Sequence, residues 1–278
     1  MSIVMSVRVA EGLVLAADSA ATLNLVGPGG QQLGVAKVFN NATKVMQLKD
    51  YFIGVATWGT GNLGARTISS LVEEFANDRP ALMDCRGSES TLSVEKEARE
   101  LMDFLMRFYA KTFPNWQNQP QSERPSFGVI VGGFAGSDFF PKEYVFTIPN
   151  SQFQELRPTR PDGSQDFGAN WFGTTDALVR FHHGRDERLM DVLRNNGIPQ
   201  DVIGKIMEAI SKDLQYQVPF DGMPLQDAVD YALFMAGLAI GRFRFSIGPE
   251  ICGGPVDVVT ITSQNGFEWM QRKQVKVR

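Results

Sequence analysis

Ser2-Ile3-Val4-Met5-Ser6-Val7-Arg8-Val9, Ala10-Glu11-Gly12 and Leu13-Val14-Leu15-Ala16-Ala17-Asp18 form the opening stretch whose reading decides the fold. The first run is rich in β-branched residues, the second is a three-residue turn, and the third is apolar again. Together they predict a β-hairpin at the start of the chain.

Working outward, Val26-Gly27-Pro28-Gly29-Gly30 reads as a loop that neither helix nor strand would tolerate. Residues 44–48 and 51–57 predict two more strands, separated by Lys49-Asp50. The period then changes: Ile68, Leu71, Val72 and Phe75 follow the spacing of one helix face, with Asn62 as the expected cap. After a polar connector over 84–90, Val94, Ala98, Leu101, Leu105 and Phe108 trace a second amphipathic helix, ended near Pro114. Strands are expected over 127–133 and 144–148, and a loop over 158–165. Helices are expected over 174–183, 186–194, 201–215 and along the stripe from Ala228 to Ile240. A terminal hairpin over 256–262 and 267–277 closes the chain. Strands from both ends with helices between them predict a layered α+β architecture. With no repeat and no linker, residues 1–278 read as a single domain.

The composition excludes several classes. The chain has 278 residues, 43% hydrophobic and 21% charged, with a net charge of −4. That balance gives no reason to expect nucleic acid as a partner. No run of 18 apolar residues predicts a membrane span. The start lacks the layout of a signal peptide. Cys85 and Cys252 stand far apart, form no metal-ligand spacing and suit a reducing cytoplasm. The histidines, His182 and His183, are adjacent and expected at a solvent-facing helix end. Neither a metal nor a cofactor is called for.

Gly59-Thr60-Gly61-Asn62-Leu63-Gly64 is a formal GxGxxG between a strand and a helix, the pattern of a dinucleotide site. The second strand ending in an acidic residue is missing, and the preceding strands look like hairpins rather than βαβ units. The residues argue against an oxidoreductase.

Three segments carry a more specific likeness: residues 2–8 followed by 12–22, residues 44–48, and Phe52-Ile53-Gly54-Val55-Ala56-Thr57-Trp58-Gly59-Thr60-Gly61 before a helix. In this order they resemble the proteasome β-subunits and the related bacterial HslV peptidase, which are N-terminal-nucleophile hydrolases. Val131-Gly132-Gly133 and 254–259 are similar to later strands of that family. The resemblance implies a four-layer αββα sandwich (the N-terminal-nucleophile hydrolase fold), assembly into a homo-oligomeric ring or related array, and hydrolysis of peptide bonds in polypeptide substrates. An ATPase unfoldase is a possible partner by the same analogy. Neither nucleic acid nor membrane is expected.

The resemblance assigns Ser2 as nucleophile, Asp18 and Lys44 as its acidic and basic neighbours, and Gly59 as the backbone donor to the oxyanion. Thr22 and Gly61 match positions that bind an extended substrate as an added strand. The chemistry suits these residue types. A hydroxyl needs a base, and a terminal residue carries its own α-amine, with an ordinary pKa of about 7.7 to 8.0. Ser2 is small enough for Met1 to be trimmed. The sequence also departs from the family: Ser stands where Thr is usual, the loop around residues 27–34 is longer, and Phe172 replaces the serine often found before the glycine at 173. The family's late Asp/Ser pair falls near Pro249, Glu250 and Cys252, with Glu250 standing in for the acid. These departures keep open a non-catalytic subunit that builds a ring or scaffold.

Overall fold

Strand β1 (Ile3–Val9) pairs antiparallel with β2 (Gly12–Ala17), Val9 opposite Gly12, so the opening hairpin forms as its residue pattern dictates. This computed structural model describes residues 2–27, 32–49, 51–79, 92–136 and 138–274. Met1, Pro28 to Gln31, Asp50, Cys85, the predicted connector over 84–90 and the predicted end of the last strand at 275–277 lie outside them.

The next elements are β3 (Ala21–Val26), β4 (Gln32–Phe39), β5 (Val45–Gln47), β6 (Ile53–Gly59), β7 (Asn62–Leu63) and β8 (Arg66–Thr67), then helices α1 (Ile68–Asn77) and α2 (Val94–Thr112). They are followed by β9 (Phe127–Gly133), β10 (Lys142–Ile148), β11 (Gln152–Leu156) and β12 (Gly168–Gly173). Helices α3 (Asp176–His183), α4 (Leu189–Asn195), α5 (Gln200–Asp213) and α6 (Leu225–Arg244) lead into β13 (Asp257–Thr262) and β14 (Gly266–Gln271).

One five-stranded antiparallel sheet runs β12-β1-β2-β13-β14 and a second runs β11-β10-β9-β6-β5. Alternation along β1 and β2 decides what packs where. Val4, Leu13, Leu15 and Ala17 turn toward the second sheet and bury with Ala56, Ile130, Val259 and Ile261. Ile3, Met5, Val7, Val14 and Ala16 turn the other way, against Ala228, Ala232, Met235 and Ala236 of α6. The far face of the second sheet packs on the apolar stripes of α1 and α2, where Leu71, Leu101, Leu105 and Tyr109 meet Val55, Val129 and Phe146. Each such leucine contributes about 2 kcal/mol of burial. No described helix is long and apolar enough to cross a membrane.

The expected four-layer αββα sandwich is corrected by this topology. The described residues form four antiparallel sheets, two of five strands and two of two strands (β3-β4 and β7-β8), together with six α-helices. Four layers do not describe the two ribbons or the helix pair α4–α5. Ribbon β3-β4 was hidden by the glycine-rich run between its strands. Ribbon β7-β8 also moves the start of α1: Asn62 pairs with Thr67, and Thr67 Oγ1, not Asn62, caps the helix by accepting the Ser70 N–H at 3.1 Å. His182 is a further correction. It is buried edge-on against Trp171 instead of facing solvent, with ring centroids 5.1 Å apart.

Between the two large sheets lies a polar knot. Ser6 Oγ and the Asn170 side-chain amide each donate to Glu143 Oε2 at 3.4 Å, while Arg8 donates to the Arg157 carbonyl and the Gln165 side chain. Glu143 is fully buried, and burial pushes its carboxyl from an ordinary 4.5 up to about 7, against the pull of Arg8 and Arg157. An unfolded chain releases that proton near 4.5, so between the two values the unfolded state binds fewer protons than the folded one. Stability attributable to Glu143 therefore falls as pH rises through this window, by an amount on the order of 3 kcal/mol, and levels off above about 7. Glu143→Gln is expected to remove that slope, read as the difference between the two proteins in urea unfolding from pH 5 to 8. Parallel slopes would contradict the assignment.

Candidate active site

Asp18 follows the end of β2 and is the anchor of the site. Its Oδ1 accepts the Ile3 N–H at 3.0 Å and the Lys44 ammonium at 2.5 Å; its Oδ2 accepts the N–H groups of Ala20 at 3.2 Å and Gly253 at 3.0 Å. A carboxylate has about four acceptor positions, and all are taken. Asp18 is thus a clamp joining the first residues of β1, the entry to β3, the turn before β13 and Lys44. It has no lone pair left to serve as a base.

Lys44 immediately precedes β5, and its carbonyl accepts the Thr57 N–H at 2.9 Å, which ties it to β6. The residue is 7% exposed and Asp18 1%. Burial lowers the lysine pKa below its ordinary value, and the Asp18 carboxylate works against that loss. Among the described residues Asp18 is the one hydrogen-bond acceptor of Nζ. Two ammonium protons are left for a bound group.

Ser2 is held by its backbone. Its carbonyl accepts the Thr174 N–H at 2.8 Å, beside the pairing of Ile3 with Gly173. Gly173 has φ +93°, and a Cβ there would stand 2.0 Å from the Ser2 carbonyl oxygen. Only glycine lets β12 lie this close. Phe172, at the preceding position, stacks its ring on Trp58 of β6 at 4.6 Å, bridging the two sheets beside the site.

A cavity of about 580 Å³ brings most of the sequence-predicted residues together. Ser2, Lys44, Gly59, Thr22 and Gly61 all line it, and Asp18 stands behind Lys44. Gly59, at the end of β6, has φ +93°, and a Cβ there would meet the Ser126 carbonyl oxygen at 2.7 Å. Gly61 lies open on one wall, its carbonyl accepting the first amide of α1. Thr22 Oγ1 is buried without a hydrogen-bond partner among the described residues, and a ligand amide would supply one. The formal GxGxxG thus places two of its glycines on this wall.

Glu250 does not belong to the site. It is exposed and lines neither this cavity nor the Asp18 cluster. What the late segment supplies is backbone: Gly253 bonds Asp18, and the neighbouring Cys252 is a buried free thiol whose pKa is raised by burial and by the adjacent carboxylate. Sequence reasoning put Cys252 near the family's late pair but missed Gly253. The run Cys252-Gly253-Gly254, small residues just before a strand, was the signal for a close backbone approach. Thr57, Trp58 and Ser126 on the cavity wall were also missed, because core-like strand residues carry no mark of chemistry.

No protein-family profile matches the sequence, and no curated protein matches it. Solved structures do share its fold. Anbu (ancestral beta-subunit) from Yersinia bercovieri is 16% identical, with 96% of this chain and 86% of that chain covered and a TM-score of 0.52. The Anbu (Gly-1) mutant from Hyphomicrobium sp. strain MC1 is 16% identical over 98% of this chain and 86% of that one, with a TM-score of 0.54. The Anbu complex from Pseudomonas aeruginosa, solved as a helical assembly, is 13% identical over 96% and 84%, with a TM-score of 0.53. The expected kinship with the HslV peptidase is corrected by these findings: the fold likeness is to the Anbu ancestral β-subunits.

Proposed function

We propose that this chain is a proteasome-like subunit that works in an oligomer of its own copies, and that its cavity hydrolyses amide bonds in peptides. The first part is supported by fold likeness to Anbu proteins, one of them described as a helical assembly. The second part is carried by one observation: the buried Asp18–Lys44 pair holds the start of β1 at Ile3 while Ser2 and Lys44 face the same cavity. On this reading residues 1–278 act as one domain, in a cytoplasmic setting that keeps Cys252 a thiol.

Removal of Met1 frees the α-amine of Ser2. That amine takes the Ser2 hydroxyl proton as Oγ bonds to the substrate carbonyl carbon. The Lys44 ammonium disfavours a second positive charge nearby and so keeps the amine neutral. The oxyanion is met by backbone N–H at Gly59. Collapse breaks the C–N bond, and the proton passes to the leaving amine. Water, deprotonated by the same α-amine, then cleaves the acyl ester and restores the serine. An extended peptide lies along Thr22 and Gly61.

A subunit that assembles without catalysis is the competing reading, favoured by the departures at Ser2 and Phe172. The two separate by intact mass and labelling. The proposal expects loss of one methionine and covalent capture of Ser2 by a β-lactone. Retained Met1 with neither label nor peptide turnover would leave the assembling subunit alone.

A further inference from the structure

Away from the candidate active site, the α3–α5 region encloses a cavity of about 360 Å³ that the proposed chemistry does not use. Its floor is apolar: Met190 of α4 with Ile203 and Met207 of α5. Its polar wall is a hydrogen-bonded row in which Ser211 Oγ donates to Gln215 at 3.3 Å and Gln215 bonds the His183 side chain. Arg185 lines it as well. Among the described residues its guanidinium has neither ion pair nor hydrogen bond, and no acidic side chain lines the cavity. Gly204 faces the same space, and a Cβ there would meet nothing within 4 Å.

A half-buried, unpaired guanidinium beside an apolar floor is half of a recognition site. Arginine binds carboxylates with two parallel hydrogen bonds, and methionine side chains reshape to fit an alkyl group. At ~30 Å³ per water-sized unit, the cavity holds about twelve such units, a ligand of roughly ten heavy atoms. We propose that this cavity binds a monocarboxylate with a short apolar tail, its carboxylate on Arg185 and its tail over Met190, Ile203 and Met207. His183 favours the same class, since burial and the neighbouring arginine lower its pKa and leave the arginine as the cation of the site.

The test is titration of the full-length protein with octanoate, N-acetyl-leucine and octanol, read from the methyl resonances of Met190 and Met207. Octanoate or N-acetyl-leucine is expected to shift both. The stronger of the two tells an alkyl carboxylate from a peptide carboxyl end. Arg185→Gln should weaken carboxylate binding at least about tenfold, as expected for loss of a charged hydrogen-bonding partner, with little change for octanol. Gly204→Leu should abolish binding by filling the space while favouring the helix, which separates blockage from unfolding. Unmoved methyl resonances would overturn the proposal, as would octanol binding as tightly as octanoate or undiminished carboxylate binding in both variants.

Discussion

Lys44→Met is expected to lower peptide turnover by a factor on the order of 10³, the loss typical of a preorganised electrostatic group, and to destabilise the fold by about 3 kcal/mol. The two effects have one origin. The ammonium sits 2.5 Å from Asp18 Oδ1, with the pair almost fully buried. Methionine keeps the length of the stem and removes the charge, so Asp18 remains as a buried anion without its cation. Three backbone donors, from Ile3, Ala20 and Gly253, still hold that carboxylate, which places the cost at the lower end of the range for a broken buried pair. Steady-state kinetics and urea unfolding measure the two losses separately. Asp18→Asn in the same background should recover part of the stability and none of the activity, because it removes the stranded charge without restoring the ammonium. Turnover within a few-fold of the parent, with an unchanged unfolding midpoint, would make the pair a mere strut.

Ser2→Ala is expected to remove turnover almost entirely, by a factor on the order of 10⁴ to 10⁶ where nucleophile and base act as a unit. Its effect on stability should be small, within about 0.5 kcal/mol. The contact that fixes Ser2 is made by its carbonyl to the Thr174 N–H, and Ile3, not Ser2, supplies the amide to Asp18. Alanine keeps every one of these backbone bonds. The variant should therefore assemble like the parent in analytical ultracentrifugation while failing to take up the β-lactone. An active Ser2→Ala protein would remove the nucleophile from the proposal and leave only the assembling subunit.

The opening hairpin was legible because its code is local. The β-branched run over residues 2–9 and a turn at Ala10-Glu11 leave one register in which both faces of β1 can bury. The stripes of α1, α2 and α6 were legible for the same reason, with period 3.6 replacing period 2. Strands β11 and β12 were not. Gln152-Phe153-Gln154-Glu155-Leu156 reads as polar, and residues 168–173 are bounded by glycines. Both are edge strands with a single neighbour: β11 closes a short hairpin with β10, and β12 pairs with β1, distant in sequence.

By itself the sequence determined the two ends of the core and the helices between them, while the candidate site at Ser2, Asp18, Lys44 and Gly59 was proposed from a resemblance carried by short segments. Periodicity and side-chain chemistry are properties of short stretches. Tertiary structure alone decided that Gly253 and not Glu250 completes the Asp18 clamp, that Gly173 must lack a side chain to pass the Ser2 carbonyl, and that Glu143 is shut between two sheets. Each of these depends on backbone brought from more than a hundred residues away, where proximity is set by how sheets pack and not by any local pattern.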